Sequence, residues 1–215
     1  MPSNLIVIGV NHDSAPVAVR ERVAFAPESV PEAISALIGT THLNEAIILS
    51  TCNRTEIYGW VGDDDPAIQG GDDVIEWLAR YHNVALDDLA TCTYRNYGAT
   101  ALTHLVRVAA GLNSMVLGEP QIFGQIKSAL AVSQECGGTG DFLSRLFQEA
   151  FRLAKRVRTD TAIGENPVSV AYAAVDLAGR IFSDMSNRTA LLPLIIIPLA
   201  TEFANRIGFT GLYSS

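Results

Sequence analysis

The stretch Ser50-Thr51-Cys52-Asn53-Arg54-Thr55-Glu56 brings together the residue types best suited to covalent chemistry. Cys52 is a potential nucleophile, and three hydroxyls, Ser50, Thr51 and Thr55, surround it in the chain. Thiolate is the reactive form of cysteine, and a nearby cation favours it. Arg54 is suited to that task, or to clamping a carboxylate of a substrate in a two-pronged contact. The competing reading is a structural cysteine, because free cysteines are among the most buried residues.

Two short apolar runs flank this stretch and must position it. Glu45–Leu49 and Ile57–Val61 are rich in β-branched and aromatic residues and read as strands, which places Cys52 where one strand ends. Leu5–Val10 reads as a buried strand that runs into the polar residues Asn11, His12 and Asp13. These serve either ligand contact or the backbone of a turn. Arg20-Glu21-Arg22 reads as a solvated or locally paired charge cluster. Ser29 is expected to cap a helix with Ile34, Leu37 and Ile38 on one face. Val74–His82 reads as a short helix and Thr91–Tyr97 as a half-buried strand. Between them, Gly62–Asp73 holds five aspartates and reads as a solvated surface loop rather than a metal site.

From Ala99 onward the pattern is helical. His104 lies among Leu102, Leu105, Val106 and Val108 on a helix that Gly111 is placed to end. The segment Gly111–Gln121 is a glycine-bounded loop that leads into a helix carrying Gln125 and Lys127. Its polar groups are suited to a polar ligand, or merely to capping that helix around Pro120. After Gly137-Gly138-Thr139-Gly140 comes an amphipathic helix with Leu143, Phe147, Ala150, Ala154 and Val157 inward. Arg152, Lys155, Arg156 and Arg158 on it are the densest basic cluster, suited to phosphates or to the helix C-terminus. Ser169 is expected to cap a further helix running to Phe182. The fold class expected is α+β: an antiparallel-rich sheet with helices packed on one face, followed by long helices.

Composition sets the outer limits. Hydrophobic residues make up 48% of the 215 and charged residues 18%, enough apolar surface for a packed core. A net charge of −8 argues against nucleic-acid binding driven by overall charge, though not against a local basic patch. Three cysteines without a Cys-x-x-Cys spacing suggest neither a disulfide framework nor zinc. Leu191–Ala200 is too short, and too interrupted by Pro193 and Pro198, to cross a bilayer. A cytoplasmic protein with no membrane partner is expected.

Several of these stretches, in this order, resemble the N-terminal catalytic domain of the glutamyl-tRNA reductases, ferredoxin-like in fold. They are Gly9-Val10-Asn11-His12 with Arg20-Glu21, Ser50–Tyr58, His104-Leu105 ahead of Ala110-Gly111-Leu112, and Ser114–Ile122 with Gln125-Ile126-Lys127. Ala154–Thr159 and Val168–Val175 complete the likeness, which covers residues 5 to about 192. The resemblance implies an enzyme of tetrapyrrole (porphyrin, haem) biosynthesis. In that reaction Cys52 attacks the ester of glutamyl-tRNA, forming a thioester that NADPH reduces to glutamate-1-semialdehyde. It further implies His104 as an activity-bearing residue, through proton transfer or polarisation of the carbonyl. Thr51, Asn53, Arg54, Ser114, Glu119, Pro120, Gln121 and Gln125 match the family's glutamate-binding positions. Arg54 and Glu119 suit the carboxylate and ammonium of that substrate.

Two departures qualify what the resemblance implies. Asn113 stands where the family usually has aspartate, next to Ser114. Beyond Leu192 the likeness stops, and no Gly-x-Gly-x-x-Gly follows a strand to cradle a dinucleotide pyrophosphate. The expected organisation is therefore a catalytic domain over 1–160, a linker helix with the start of the NADPH-binding domain over 161–192, and an atypical tail over 193–215. The tail is read as a shifted reading frame or a shortened piece. Acyl transfer or slow ester hydrolysis is then expected without efficient hydride transfer. The resemblance implies a homodimer whose dimerisation region is missing here, so the oligomeric state stays open between dimer and monomer, as does contact with the glutamate-1-semialdehyde aminomutase. The alternative is a non-catalytic module that holds RNA or a partner protein through the basic helix.

Overall fold

The computed structural model describes residues 4–62, 71–161 and 163. The linker and tail expectations over 161–215, including the helix after Ser169, lie outside the described residues apart from positions 161 and 163. So does most of the acidic loop, residues 63–70.

Four strands form one antiparallel sheet: β1 (Leu5–Asn11), β2 (Glu45–Ser50), β3 (Arg54–Trp60) and β4 (Tyr94–Tyr97), in the spatial order β2-β3-β1-β4. Between β1 and β2 come α1 (Val17–Arg22), a 3-10 turn (Pro27–Ser29) and α2 (Val30–Thr40). Between β3 and β4 come α3 (Asp72–Tyr81) and α4 (Leu86–Ala90). This is the βαββαβ order of a ferredoxin-like unit. Three helices follow: α5 (Gly98–Ala109), α6 (Gln121–Glu135) and α7 (Asp141–Asp160). None of the described helices is long and apolar enough to cross a membrane.

Alternation along β1 divides the core in two, because successive side chains of a strand point to opposite faces. Ile6, Ile8 and Val10 pack with Ile34 and Leu37 of α2 and Val74, Ile75 and Leu78 of α3. Leu5 and Val7 face the other way, among Leu105 of α5, Ile126 of α6 and Phe147 of α7. The α+β class and antiparallel sheet are as expected, and α2 and α3 do share one face. The later helices cover the opposite face, so the sheet is buried on both sides. That explains why all seven residues of β1 are buried.

Three local readings change. Ser29 does not cap α2 with its side chain; its hydroxyl donates to the Ala26 carbonyl at 2.8 Å within the 3-10 turn. The fourth strand begins only at Tyr94, because α4 and a turn occupy Leu86–Thr93. Pro120 lies just before the first residue of α6 rather than within it.

Candidate active site

Cys52 sits at the tip of the hairpin that joins β2 to β3, and it is exposed. The hairpin is closed by the Thr51 amide donating to the Arg54 carbonyl at 2.8 Å. The Thr51 hydroxyl also accepts the amides of Asn53 and Arg54, each at 3.2 Å, so a side chain does the work of a turn bond. From α1, Arg20 Nη1 donates to the Cys52 carbonyl at 2.9 Å and to Asn53 Oδ1 at 3.4 Å. Arg20 is therefore a brace for the cysteine turn rather than part of a solvated charge cluster. Asn11 takes the turn role: its Oδ1 accepts the amides of Asp13 (2.9 Å) and Ser14 (3.0 Å). His12 does not share it; its Nε2 lies 3.4 Å from Asp13 Oδ1.

Directly behind the turn, alternate residues of β3 put Arg54, Glu56 and Tyr58 on one face of the sheet. Arg54 is 2% exposed and Glu56 0%. Burying either charge alone is costly, so each needs partners. Arg54 Nη1 donates to Glu56 Oε1 at 2.6 Å, and Nη2 donates to the Asn113 carbonyl. Glu56 also accepts from Tyr58 Oη on the same strand, Tyr94 Oη on β4, and His104 Nε2 on α5 at 2.8 Å. Burial by itself pushes the Glu56 carboxyl up. The His104 hydrogen bond and the Arg54 charge outweigh it and hold the group down to about 2.

The loop between α5 and α6 reaches this cluster through Asn113. Its carbonyl takes Arg54 and its side-chain oxygen takes Arg107 Nε at 3.0 Å. An aspartate at position 113 would present a carboxylate to Arg107, and the amide keeps the bond without the charge. Ser114 follows directly. Glu119, half-buried on the same loop, has its carboxyl pushed up by burial, against the lowering influence of the Arg54 charge. Arg158 of α7 fixes the loop from behind, donating to the carbonyls of Gly118 (3.2 Å), Glu119 (3.4 Å) and Ala110 (3.5 Å). Gln121 and Gln125 stand exposed on the first turns of α6, after the exposed Pro120.

The expected site residues thus divide into groups. Thr51, Cys52 and Asn53 form the turn, and Arg54 ties it both to His104 through Glu56 and to Ser114 through Asn113. Pro120, Gln121 and Gln125 lie further along, and among the described residues the bonds of Arg54 run instead to Glu56 and Asn113. Of the basic cluster on α7, Arg152 pairs with Glu149 at 2.7 Å, Arg156 pairs with Asp160 at 3.2 Å, and Arg158 serves the loop. Glu56, Tyr58 and Tyr94 were not foreseen as parts of the site. The alternation Arg54-x-Glu56-x-Tyr58 in a strand opposite Gly9 was the signal available in the sequence.

Comparison with known proteins gives the family. Residues 8–161 match the family described as glutamyl-tRNAGlu reductase, N-terminal domain. The chain is 57% identical over 188 residues to the glutamyl-tRNA reductase of Marinomonas sp. (strain MWYL1), covering 87% of this chain and 44% of that protein. It is 57% identical over 187 residues to the Pseudomonas aeruginosa enzyme of the same name, covering 87% of this chain and 43% of that one. It therefore spans less than half the length of these relatives. A solved structure, glutamyl-tRNA reductase from Methanopyrus kandleri, superimposes with a TM-score of 0.63 at 27% identity, over 96% of this chain and 53% of that one. With the family match covering all of the sheet but the first three residues of β1, together with the cysteine hairpin and the helices behind it, the chain belongs to the glutamyl-tRNA reductase family.

Proposed function

We propose that residues 1–160 carry out the acyl-transfer step of glutamyl-tRNA reduction in tetrapyrrole biosynthesis, with Cys52 as nucleophile. Sγ bonds to the carbonyl carbon of the glutamyl ester as the bond from that carbon to the terminal ribose oxygen breaks. The thiol proton ends on the leaving oxygen, and the glutamyl group remains on Cys52 as a thioester. The observation that carries this reading is the exposed Cys52 on a braced hairpin tip, two residues from an arginine whose bonds run to Glu56 and to the Ser114 loop. Arg54 and Glu119 lie close enough for the charge of one to act on the other. They supply opposite signs for the carboxylate and ammonium of a glutamyl group. Thr51, Asn53, Ser114, Gln121 and Gln125 supply neutral donors and acceptors around it.

The family is NADP-dependent. A dinucleotide pyrophosphate is held on a Gly-x-Gly-x-x-Gly turn between strand and helix. The 215 residues contain no such turn after a strand, so the residues present do not fit that group and no hydride step is assigned to them.

The test follows release of glutamate from glutamyl-tRNA by the 215-residue chain. Release that depends on Cys52 and vanishes in Cys52→Ser is expected, with His104→Asn slowed on the order of a hundredfold. Undiminished release by Cys52→Ser would overturn the assignment of the nucleophile.

A further inference from the structure

Glu56 accepts more hydrogen bonds from side chains than any other group described, yet it is fully buried. An ionised carboxylate only accepts, so each group aimed at it must bring a proton. Arg54 and the two tyrosines have no choice in the matter. His104 does, because a neutral imidazole carries its proton on one of two nitrogens, and the nitrogen at 2.8 Å from Glu56 Oε1 is Nε2.

We propose that Glu56 is a positioning residue that fixes the proton of neutral His104 on Nε2, leaving Nδ1 as the nitrogen that handles a proton at the Cys52 site. The use of this arrangement rests on the acyl-transfer reading. There Nδ1 takes the proton from the Cys52 thiol as the S–C bond forms, and returns it to the ribose oxygen as the C–O bond breaks. The ring ends in the state in which it began.

Three features keep the carboxylate in the orientation this requires. Tyr58 donates to Oε2, and its ring is wedged edge-on against Phe147, with centroids 5.3 Å apart. Tyr94 donates to Oε1, and its ring lies beside the imidazole itself, also at 5.3 Å. Gly9 of β1 stands in register with Glu56 on one side and Tyr94 on the other, so the two side chains meet above a strand position that has no side chain. A Glu56 that served only to neutralise Arg54 would need one contact with it. The three further donors converging from β3, β4 and α5 are not explained by charge balance.

Nitrogen-15 spectra of the histidine-labelled chain, recorded above the pH at which its rings titrate, read the two tautomers without any substrate. The His104 signals are identified by their loss in His104→Asn. The expected result is a single Nε2-protonated form in excess by about tenfold or more, the bias of one charge-assisted hydrogen bond. In Glu56→Gln, whose amide both donates and accepts, both forms should appear in comparable amounts. Tyr94→Phe leaves the carboxylate in place and should retain the Nε2-protonated form, even if Glu56→Gln does not fold. An Nδ1-protonated ring or an even mixture in the unaltered chain would overturn the proposal. So would a Glu56→Gln spectrum with the ring still held in the single form. A fixed Nε2–H in a chain whose Cys52 accepts no glutamyl group would support this assignment while removing the acyl-transfer reading.

Discussion

A carboxylate with no solvent around it stays ionised only through its neighbours, and for Glu56 those neighbours are Arg54, His104, Tyr58 and Tyr94. This dependence has a measurable sign. The folded group titrates near 2 against an ordinary 4.5. Its contribution to stability is therefore complete above 4.5 and is lost as the pH falls through 2. A shift of that size corresponds to on the order of 3 kcal/mol. Urea midpoints measured from pH 7 down to pH 2 should fall more steeply for the unaltered chain than for Glu56→Gln, which has no carboxyl to titrate at that site. Parallel curves would mean that Glu56 is not the buried anion described. Arg54 belongs to the same argument. At 2% exposure, with both terminal nitrogens engaged, it positions the cysteine turn and the Ser114 loop whether or not it also meets substrate.

Among the elements, β1 contributes most to the site through the residue with no side chain. A Cβ at Gly9 would lie 2.9 Å from both Cα and Cγ of Glu56, and closer still to the Thr55 carbonyl. Gly9→Ala should therefore force β3 and Glu56 apart and cost about 3 kcal/mol, the upper end of core overpacking. Thermal unfolding measures that loss, and an unchanged midpoint would contradict the packing described. The α5–α6 loop depends instead on α7. Arg158→Met keeps the apolar stem and removes three bonds to carbonyls, for a loss of about 1–2 kcal/mol. Amide exchange should quicken over residues 111–120 while the four strands keep their protection. Uniform quickening would show that Arg158 supports the whole fold rather than the loop.

At the scale of the molecule, the sheet and its helices were legible because their apolar residues recur at periods of two and of three to four. Leu143 and Phe147 declare their shared face by spacing alone. The split of the core between both sides of the sheet was not legible in this way, since an all-apolar strand such as β1 suits several layerings. Cys52 stood out as a candidate nucleophile from its neighbours in sequence, but Glu56 did not stand out as part of the site. An acidic residue near a strand end reads as solvated until Tyr94 and His104, distant in the chain, are brought onto it. Arg20 and Arg158 were misread for the same reason: their shortest bonds run to backbone carbonyls, which leave no trace in a pattern of side chains. The match accounts for less than half the length of the two bacterial relatives, so the step proposed for the chain is the one that asks only for Cys52, His104 and the polar groups around them. The most direct measurement is the intact mass of the chain after brief incubation with glutamyl-tRNA, followed by peptide mapping. One glutamyl group, labile to hydroxylamine and confined to the peptide containing Cys52, is expected. An unmodified Cys52, with glutamate either retained on the tRNA or found on another residue, would contradict it.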